Sequence, residues 1–197
     1  MKKTRSSLWD WVLSSKQLGI QMNKLFLILL LGMTLSQSGI AKTNTSIEKV
    51  VKSSFSGVTS VQAQQLVLTK TQFDKIQKRA KTAVRTKIYR YYDLKSGAKT
   101  VGYGVLISRK IRTKKATVLY AFDKAGNLKF SEIMGFGEPP EFIPNKQWMG
   151  QFKNKNASAA LTMGKDIPTI SGSTLSARCI SDGARIARAI YEIALKK

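Results

Sequence analysis

Four runs rich in β-branched and aromatic residues follow one another in the middle of the sequence, and they limit the possible folds more than any other feature. They cover residues 88–92, 101–108, 116–122 and 127–136, and a short polar or glycine-containing segment separates each from the next. Runs of this kind are typical of β-strands joined by turns. Because short connections join neighbouring antiparallel strands, the pattern predicts a four-stranded antiparallel meander.

The third run differs from the others because it is apolar at nearly every position. A strand with one solvated face would alternate polar and apolar residues. We therefore expect the third strand to be central in the sheet and covered on both faces. After the fourth run, residues 137–142 contain two consecutive prolines, which argues against a further strand. Residues 147–152 have the pattern of a short helix.

Helical patterns lie on both sides of the predicted sheet. Thr69 and Gln72 have the spacing of a capping box, and apolar residues then recur at helical intervals at Phe73, Ile76, Ala80 and Val84. Near the C-terminus a longer helix has one apolar face, made of Leu175, Cys179, Gly183, Ile186, Ile190 and Ile193. Cys179 should then face the core as a small apolar residue. The predicted fold class is α+β: an antiparallel four-stranded meander with packed helices and a long C-terminal helix.

The N-terminal region has the pattern of an export signal. Residues 25–35 form an apolar run of about the length found in signal peptides, with Lys24 before it and small residues at the two positions that a signal peptidase reads, Gly39 and Ala41. We therefore expect a leader over residues 1–41. The stretch before the apolar run is long for a signal peptide, which indicates that translation starts at Met22.

This leader places the folded part in the periplasm or elsewhere outside the cytoplasm. The protein is soluble there after cleavage, or it stays tethered if an apolar run extended to Ile40 acts as an uncleaved signal anchor. The rest of the chain divides into an N-terminal segment, residues 42–68, and one folded domain, residues 69–197. A single cysteine is compatible with an oxidising compartment.

The composition excludes several classes of chemistry. The sequence has no histidine and one cysteine. Catalytic Ser-His-Asp and Cys-His systems, imidazole metal ligands, internal disulfides and CxxC redox pairs are therefore excluded. We expect neither a catalytic residue nor a metal site, so any redox chemistry must come from an organic cofactor or a partner.

The sequence is strongly basic. It has 34 Lys and Arg residues against 11 Asp and Glu, a formal charge of +23, and the lysines are spread along the whole chain. Five of the basic residues and one of the acidic residues precede Lys42, so the exported part would keep a charge of +19. Scattered lysines indicate a solvated basic surface, and no nucleic-acid-binding motif is visible. The charge suits an acidic protein partner or an anionic membrane surface.

A glycine flanked by hydroxyl residues precedes the C-terminal helix, in the order Ser171, Gly172, Ser173, Thr174. Free backbone N–H groups and the positive end of the helix dipole at such a position can bind a phosphate group. The alternative is an ordinary helix start at which Ser171 or Ser173 caps its own backbone.

Residues 170–178, together with 182–185, resemble the motif of the FMN-binding domain family. That family includes the covalently flavinylated subunits of the sodium-translocating NADH:quinone oxidoreductase and of the Rnf complex. The resemblance implies that Thr174 carries FMN through a phosphoester bond made by a dedicated flavin transferase. Further matching features follow in the family's order and cover most of the exported part: Leu68-Thr69, Gly102-Tyr103, Asp123, Glu138-Pro139, Trp148 with Phe152, and 164–167.

The resemblance also implies roles for the surrounding residues. The backbone from Gly172 to Thr174 would hold the phosphate, with Ser171, Ser173 and Leu175 completing the cofactor contacts. The loop of Glu138 would approach the flavin, and Trp148 and Tyr103 would flank the isoalloxazine ring, with core packing as the alternative for both aromatic residues.

The sequence departs from the family pattern at two positions. Ser173 replaces the usual alanine, and Pro168 stands where members commonly have an aspartate, the nearest acidic residue being Asp166. If the transferase needs that carboxylate, covalent attachment of FMN fails here, and noncovalent FMN binding is the alternative.

The resemblance predicts an exported electron carrier rather than a stand-alone oxidoreductase. Its partners would be a redox protein or a membrane electron-transfer complex. The alternative is a flavin-free basic binding protein on the same scaffold, which docks to an acidic partner or an anionic membrane surface through residues 109–115 and 75–85.

Overall fold

A computed structural model describes residues 47–196, which form an α+β unit with a five-stranded antiparallel sheet. The strands are β1 (Ser60–Val67), β2 (Ile88–Ser96), β3 (Lys99–Lys110), β4 (Lys115–Asp123) and β5 (Leu128–Phe136). The helices are α1 (residues 47–54), α2 (Lys70–Ala80), α3 (Lys146–Met149) and α4 (Thr174–Ile190). Short 3₁₀ turns cover Pro140–Phe142 and Gly150–Phe152, and a π-helical turn, Tyr191–Leu195, extends α4.

The sheet is a simple meander in which each strand pairs with the next, in the order β1-β2-β3-β4-β5. The α+β class, the antiparallel meander and its last four strands are confirmed, but the predicted number of four strands is wrong. The missing strand is β1, which pairs with β2 from Ser60 opposite Lys95 to Val67 opposite Ile88. Its central residues 62–65 are polar or small and exposed, so it has no buried face that a sequence pattern could reveal.

The third run, predicted to be an interior strand covered on both faces, is confirmed as one. That run is β4, whose residues from Val118 to Phe122 are all buried, and the strand is paired on both sides, with β3 and β5. The strand in the middle of the five is β3.

Helices cover both faces of the sheet. On one face α2 and α4 pack over a core that includes Ile76, Tyr120 and Ile186. On the other face α1 packs through Ile47 and Val51 in a separate core cluster. Both α1 and β1 belong to the same compact unit as the later elements, so this unit begins before residue 69, where the sequence analysis set the domain boundary.

The predicted capping box opens α2. The hydroxyl of Thr69 accepts the N–H of Gln72 at 3.2 Å, and the Gln72 side chain accepts the N–H of Thr69 at 3.0 Å. The helix ends at Lys81, whose φ of 51° is left-handed, so Val84 is buried beyond the helix rather than on it.

The apolar face predicted for the C-terminal helix is largely confirmed. Cys179, Gly183, Ile186 and Ile190 are buried, and Ile193 is half-buried in the π-helical turn. The prediction is wrong for Leu175, because its side chain is 41% exposed and does not lie on the buried face. The first turn of α4 lies beside the tip of the β3–β4 hairpin, where Leu175 borders a surface pocket instead of the core.

The leader predicted over residues 1–41, the translation start at Met22 and the signal anchor lie outside the described residues. Within residues 47–196, no helix is both long enough and apolar enough to cross a membrane.

Candidate functional site

Three segments distant in the sequence meet around a small pocket: the tip of the β3–β4 hairpin, the turn after β5, and the start of α4. The cavity volume of this pocket is about 10 Å³, room for about one water molecule, and the space measures about 190 Å³ when the part open to solvent is included. Four of its lining residues are among the predicted cofactor contacts, and the structure brings them together. The full lining is Ile111, Arg112, Glu138, Phe142, Gly172, Ser173, Leu175 and Ser176.

Glu138 is a buried carboxylate that holds the tip of the hairpin. Its Oε1 accepts the backbone N–H groups of Arg112 at 3.0 Å, Thr113 at 2.7 Å and Lys114 at 2.7 Å. These hydrogen bonds, led by that from Lys114, lower the pKa of Glu138 below its usual range although burial acts against them. Glu138 is therefore ionised at neutral pH and shapes one wall of the pocket by holding the hairpin backbone.

Arg112 is a pocket residue that the sequence analysis treated only as part of the basic segment 109–115. Its guanidinium carbon lies 4.5 Å from the ring centroid of Phe142, a cation–π distance. Because Glu138 holds the Arg112 backbone and Phe142 supports its side chain, a positive charge is held beside the start of α4. No local sequence pattern marks Arg112, since these two supports come from residues about 30 positions away.

The start of α4 lacks a side-chain cap. Gly172 has a φ of 78°, which favours glycine, and it turns the chain into the helix. Ser173 is the N-cap residue but makes no capping hydrogen bond, and within the described chain Ser171 makes no side-chain hydrogen bond either. The self-capping alternative is therefore not observed, and the first N–H groups of the helix have no side-chain acceptor.

Two further hydroxyl groups lie in the first turn of α4. Thr174 is exposed, and its hydroxyl donates to the carbonyl of Ile170 at 2.9 Å. Ser176 lines the pocket and is 1% exposed, and its Oγ has no hydrogen-bond partner among residues 47–196. An unsatisfied buried hydroxyl is unfavourable, so a polar ligand in this pocket would improve its environment.

Trp148 does not line the pocket. It is 5% exposed, its ring packs edge-on against Phe152, and its Nε1–H donates to the carbonyl of Pro168 at 2.8 Å. These contacts agree with the core-packing alternative, and they let Trp148 support the loop that leads to Gly172.

Tyr103 lies far from the other predicted site residues. It packs between Tyr91 and Tyr191, with ring centroids 6.5 and 6.0 Å away. Tyr191 follows Thr174 by 17 residues of helix, or about 25 Å along the axis. The structure therefore does not bring Tyr103 to the pocket.

Asp166 is already engaged in the loop before α4. Its carboxylate accepts the N–H groups of Leu161 and Thr162, both at 2.8 Å. Burial alone would raise its pKa, but hydrogen bonds from Thr162 and Leu161 outweigh burial and hold the pKa below the usual range. Asp166 thus stabilises the loop and offers no free carboxylate near Pro168.

Two further predictions concern the thiol of Cys179 and the binding of metal ions. Cys179 faces the core as predicted, and burial raises the pKa of its thiol. Within residues 47–196, no group of three or more acidic or cysteine residues could hold a metal ion.

No protein-family model and no curated protein matches this chain. The likeness to the FMN-binding domain therefore rests on the motif residues and stays a prediction.

Proposed function

We propose that this protein is an exported FMN-binding electron carrier in which the flavin is linked to Thr174 through a phosphoester bond. The proposal is supported by one observation: three chain segments meet around a pocket next to the exposed Thr174. Four residues chosen from the motif alone, Glu138, Gly172, Ser173 and Leu175, line this pocket.

The donors around the pocket suit a phosphate group. Uncapped N–H groups at the start of α4 lie at the positive end of the helix dipole, an arrangement that favours anions. Arg112 can add a charge-assisted hydrogen bond, and the unpartnered Ser176 hydroxyl can add another. No acidic residue lies in the first turn of the helix to oppose an anion.

A flavin transferase must reach the hydroxyl to which it attaches FMN. Ser173 is 7% exposed, whereas Ser171 and Thr174 are exposed, and of these two Thr174 is at the position that the family motif assigns to FMN. Leu175 and Ile143, each 41% exposed, provide apolar surface near the pocket for a flavin ring. Bound FMN would supply the electron chemistry that the side chains of this sequence lack.

The proposed setting is extracytoplasmic, with a redox protein or a membrane electron-transfer complex as partner. A net charge of +19 on the exported part would speed the encounter with an acidic partner at low ionic strength.

The first test is a pair of threonine variants coexpressed with a flavin transferase. We expect the wild-type protein to keep yellow flavin fluorescence after denaturing electrophoresis, and Thr174→Val to lose the fluorescent band while keeping its far-ultraviolet circular dichroism. Thr169→Val is the matched control, because it removes an exposed hydroxyl from the same loop. A band that survives in Thr174→Val would refute attachment at this residue.

One observation favours a second candidate function, a flavin-free basic protein that docks to an acidic partner or an anionic membrane. Pro168 has no carboxylate, and that of Asp166 is held by two backbone N–H groups. A transferase that needs an acidic residue here would find none free. Wild-type protein that stays colourless in the coexpression experiment, and binds anionic vesicles in a salt-sensitive manner, would favour this function over the first.

A further inference from the structure

A second and larger cleft lies between the end of α2, the later turns of α4 and the loop around residues 159–165. Its cavity volume is about 260 Å³. Arg185 follows Thr174 by 11 residues of helix, about 17 Å along the axis, so the cleft is separate from the pocket at the start of α4. Its lining is Arg79, Ala80, Lys81, Ala159, Ala160, Leu161, Thr162, Lys165, Arg185 and Arg188.

The lining of this cleft is positively charged. It contains five basic residues and no acidic one. Two of the five are neutralised from outside the lining: Glu192 binds Arg79 at 2.7 and 2.9 Å, and Asp182 binds Arg185. The other three, Lys81, Lys165 and Arg188, have no salt-bridge partner within residues 47–196, although the negative charges of Glu192 and Asp166 act on Arg188. The lining therefore carries more positive charge than the carboxylates around it balance.

Arg188 is the unusual member because it is almost fully buried. Its side chain is 3% exposed, and it donates to two backbone carbonyls, those of Ala159 and Asn156. Its buried Nε has no partner in the described part of the chain. A guanidinium buried this deeply is unfavourable, and an anion in the cleft it lines would add to the counter-charge that Glu192 and Asp166 supply from a greater distance.

We propose that this cleft binds a small anion with two or more negative charges on phosphate oxygens, such as a diphosphate group. An excess of positive charge around one small cavity suits a compact, multiply charged ligand, and the exposed ammonium groups of Lys81 and Lys165 can donate charge-assisted hydrogen bonds to phosphate oxygens. The cavity, at about 260 Å³, has room for several water molecules and is large enough for a diphosphate. The diphosphate is either a free solute or the headgroup of a lipid.

The test uses titration calorimetry of the full exported chain with inorganic pyrophosphate. We expect one saturable site, and we expect Lys81→Gln combined with Lys165→Gln to weaken binding about tenfold or more, because each lysine supplies a charge-assisted contact. Both lysines are exposed, so the double variant should fold. The control combines Lys49→Gln with Lys99→Gln, two exposed lysines outside the cleft that remove the same charge.

Further measurements separate the sources of the anion. Vesicles of phosphatidylcholine that contain a pyrophosphate-headed lipid test for a lipid ligand. If the wild-type protein binds these vesicles, and the Lys81/Lys165 double variant does not while the Lys49/Lys99 control still does, the anion is a lipid headgroup. Equal weakening by both lysine pairs would refute the site, as would the absence of binding to both probes. Tighter binding of citrate than of pyrophosphate would refute a phosphate ligand. The site is independent of the proposed flavin linkage, so Thr174→Val should leave the pyrophosphate affinity unchanged.

Discussion

Glu138 and Arg112 act as a pair although 26 positions separate them in the sequence. The Glu138 carboxylate accepts three backbone N–H groups at the hairpin tip, and this holds the Arg112 guanidinium over Phe142 and beside Ser173. The chain thus places a negative charge where it shapes the backbone and leaves a positive charge at the pocket. Glu138 also lines the pocket, so the positive charge of Arg112 would have to offset it for a phosphate to bind there.

Glu138→Gln should destabilise the protein at neutral pH and much less in acid. The pKa of Glu138 is lowered from an ordinary value of 4.5, so its stabilising contribution is complete above that value and is lost as the pH falls through the lowered pKa. Denaturant unfolding near pH 7 and near pH 3 measures the difference. Glu141→Gln is the control, because Glu141 is exposed and its side chain makes no hydrogen bond in the described chain. An equal loss at both pH values would contradict the ionised carboxylate.

The packing of α4 on the sheet depends on a close approach at Gly183. A Cβ atom at this position would lie 2.6 Å from the hydroxyl oxygen of Tyr120. That hydroxyl is buried and donates to the carbonyl of Ile180 at 2.7 Å, so it joins β4 to α4. The helix can lie this close to the strand only because residue 183 has no side chain.

Gly183→Ala should lower the free energy of unfolding by about 1 kcal/mol or more. The added methyl group displaces the Tyr120 hydroxyl. Overpacking costs about 1–3 kcal/mol and the strained buried hydrogen bond about 0.5–1.5 kcal/mol, and together these exceed the gain of about 1 kcal/mol from alanine's helix propensity. Gly150→Ala is the control, since nothing lies within 4 Å of the added atom. Chemical denaturation of both variants checks this, and a neutral Gly183→Ala would show that Tyr120 can move aside freely.

The described part of the molecule has an apolar core on each face of one sheet. The second core depends on residues before position 69, because Ile47, Val51 and Phe55 cover Tyr92 and Leu119. β1 also covers the edge of β2 that would otherwise be unpaired. The five-stranded sheet with helices on both faces is therefore the folding unit.

A chain that begins at Thr69 should fail to unfold cooperatively and should bind the dye ANS, because it exposes the apolar face that α1 covers. A chain that begins at Lys42 should show a single thermal transition and no dye binding. Circular dichroism and dye fluorescence compare the two. Cooperative unfolding of the shorter chain would mean that the second core contributes little to stability.

Several features of this protein could be predicted from the sequence because short-range interactions determine them. The capping box at Thr69, the four apolar strand runs and most of the buried face of α4 depend on residues close together in the chain. The convergence of Glu138 with Gly172, Ser173 and Leu175 was anticipated only through the family motif.

Tertiary structure alone decided the other features. The centre of β1 is polar or small and exposed, and the strand is recognised by its pairing with β2. Leu175 is exposed because its turn lies beside a hairpin tip, and Arg112 becomes a pocket residue through a carboxylate far along the chain. The basic cleft lined by the buried Arg188 appears only when α2, α4 and the loop around 159–165 pack together. A sequence pattern records how neighbouring residues alternate, whereas these features depend on which distant groups meet and which charges they leave without a partner.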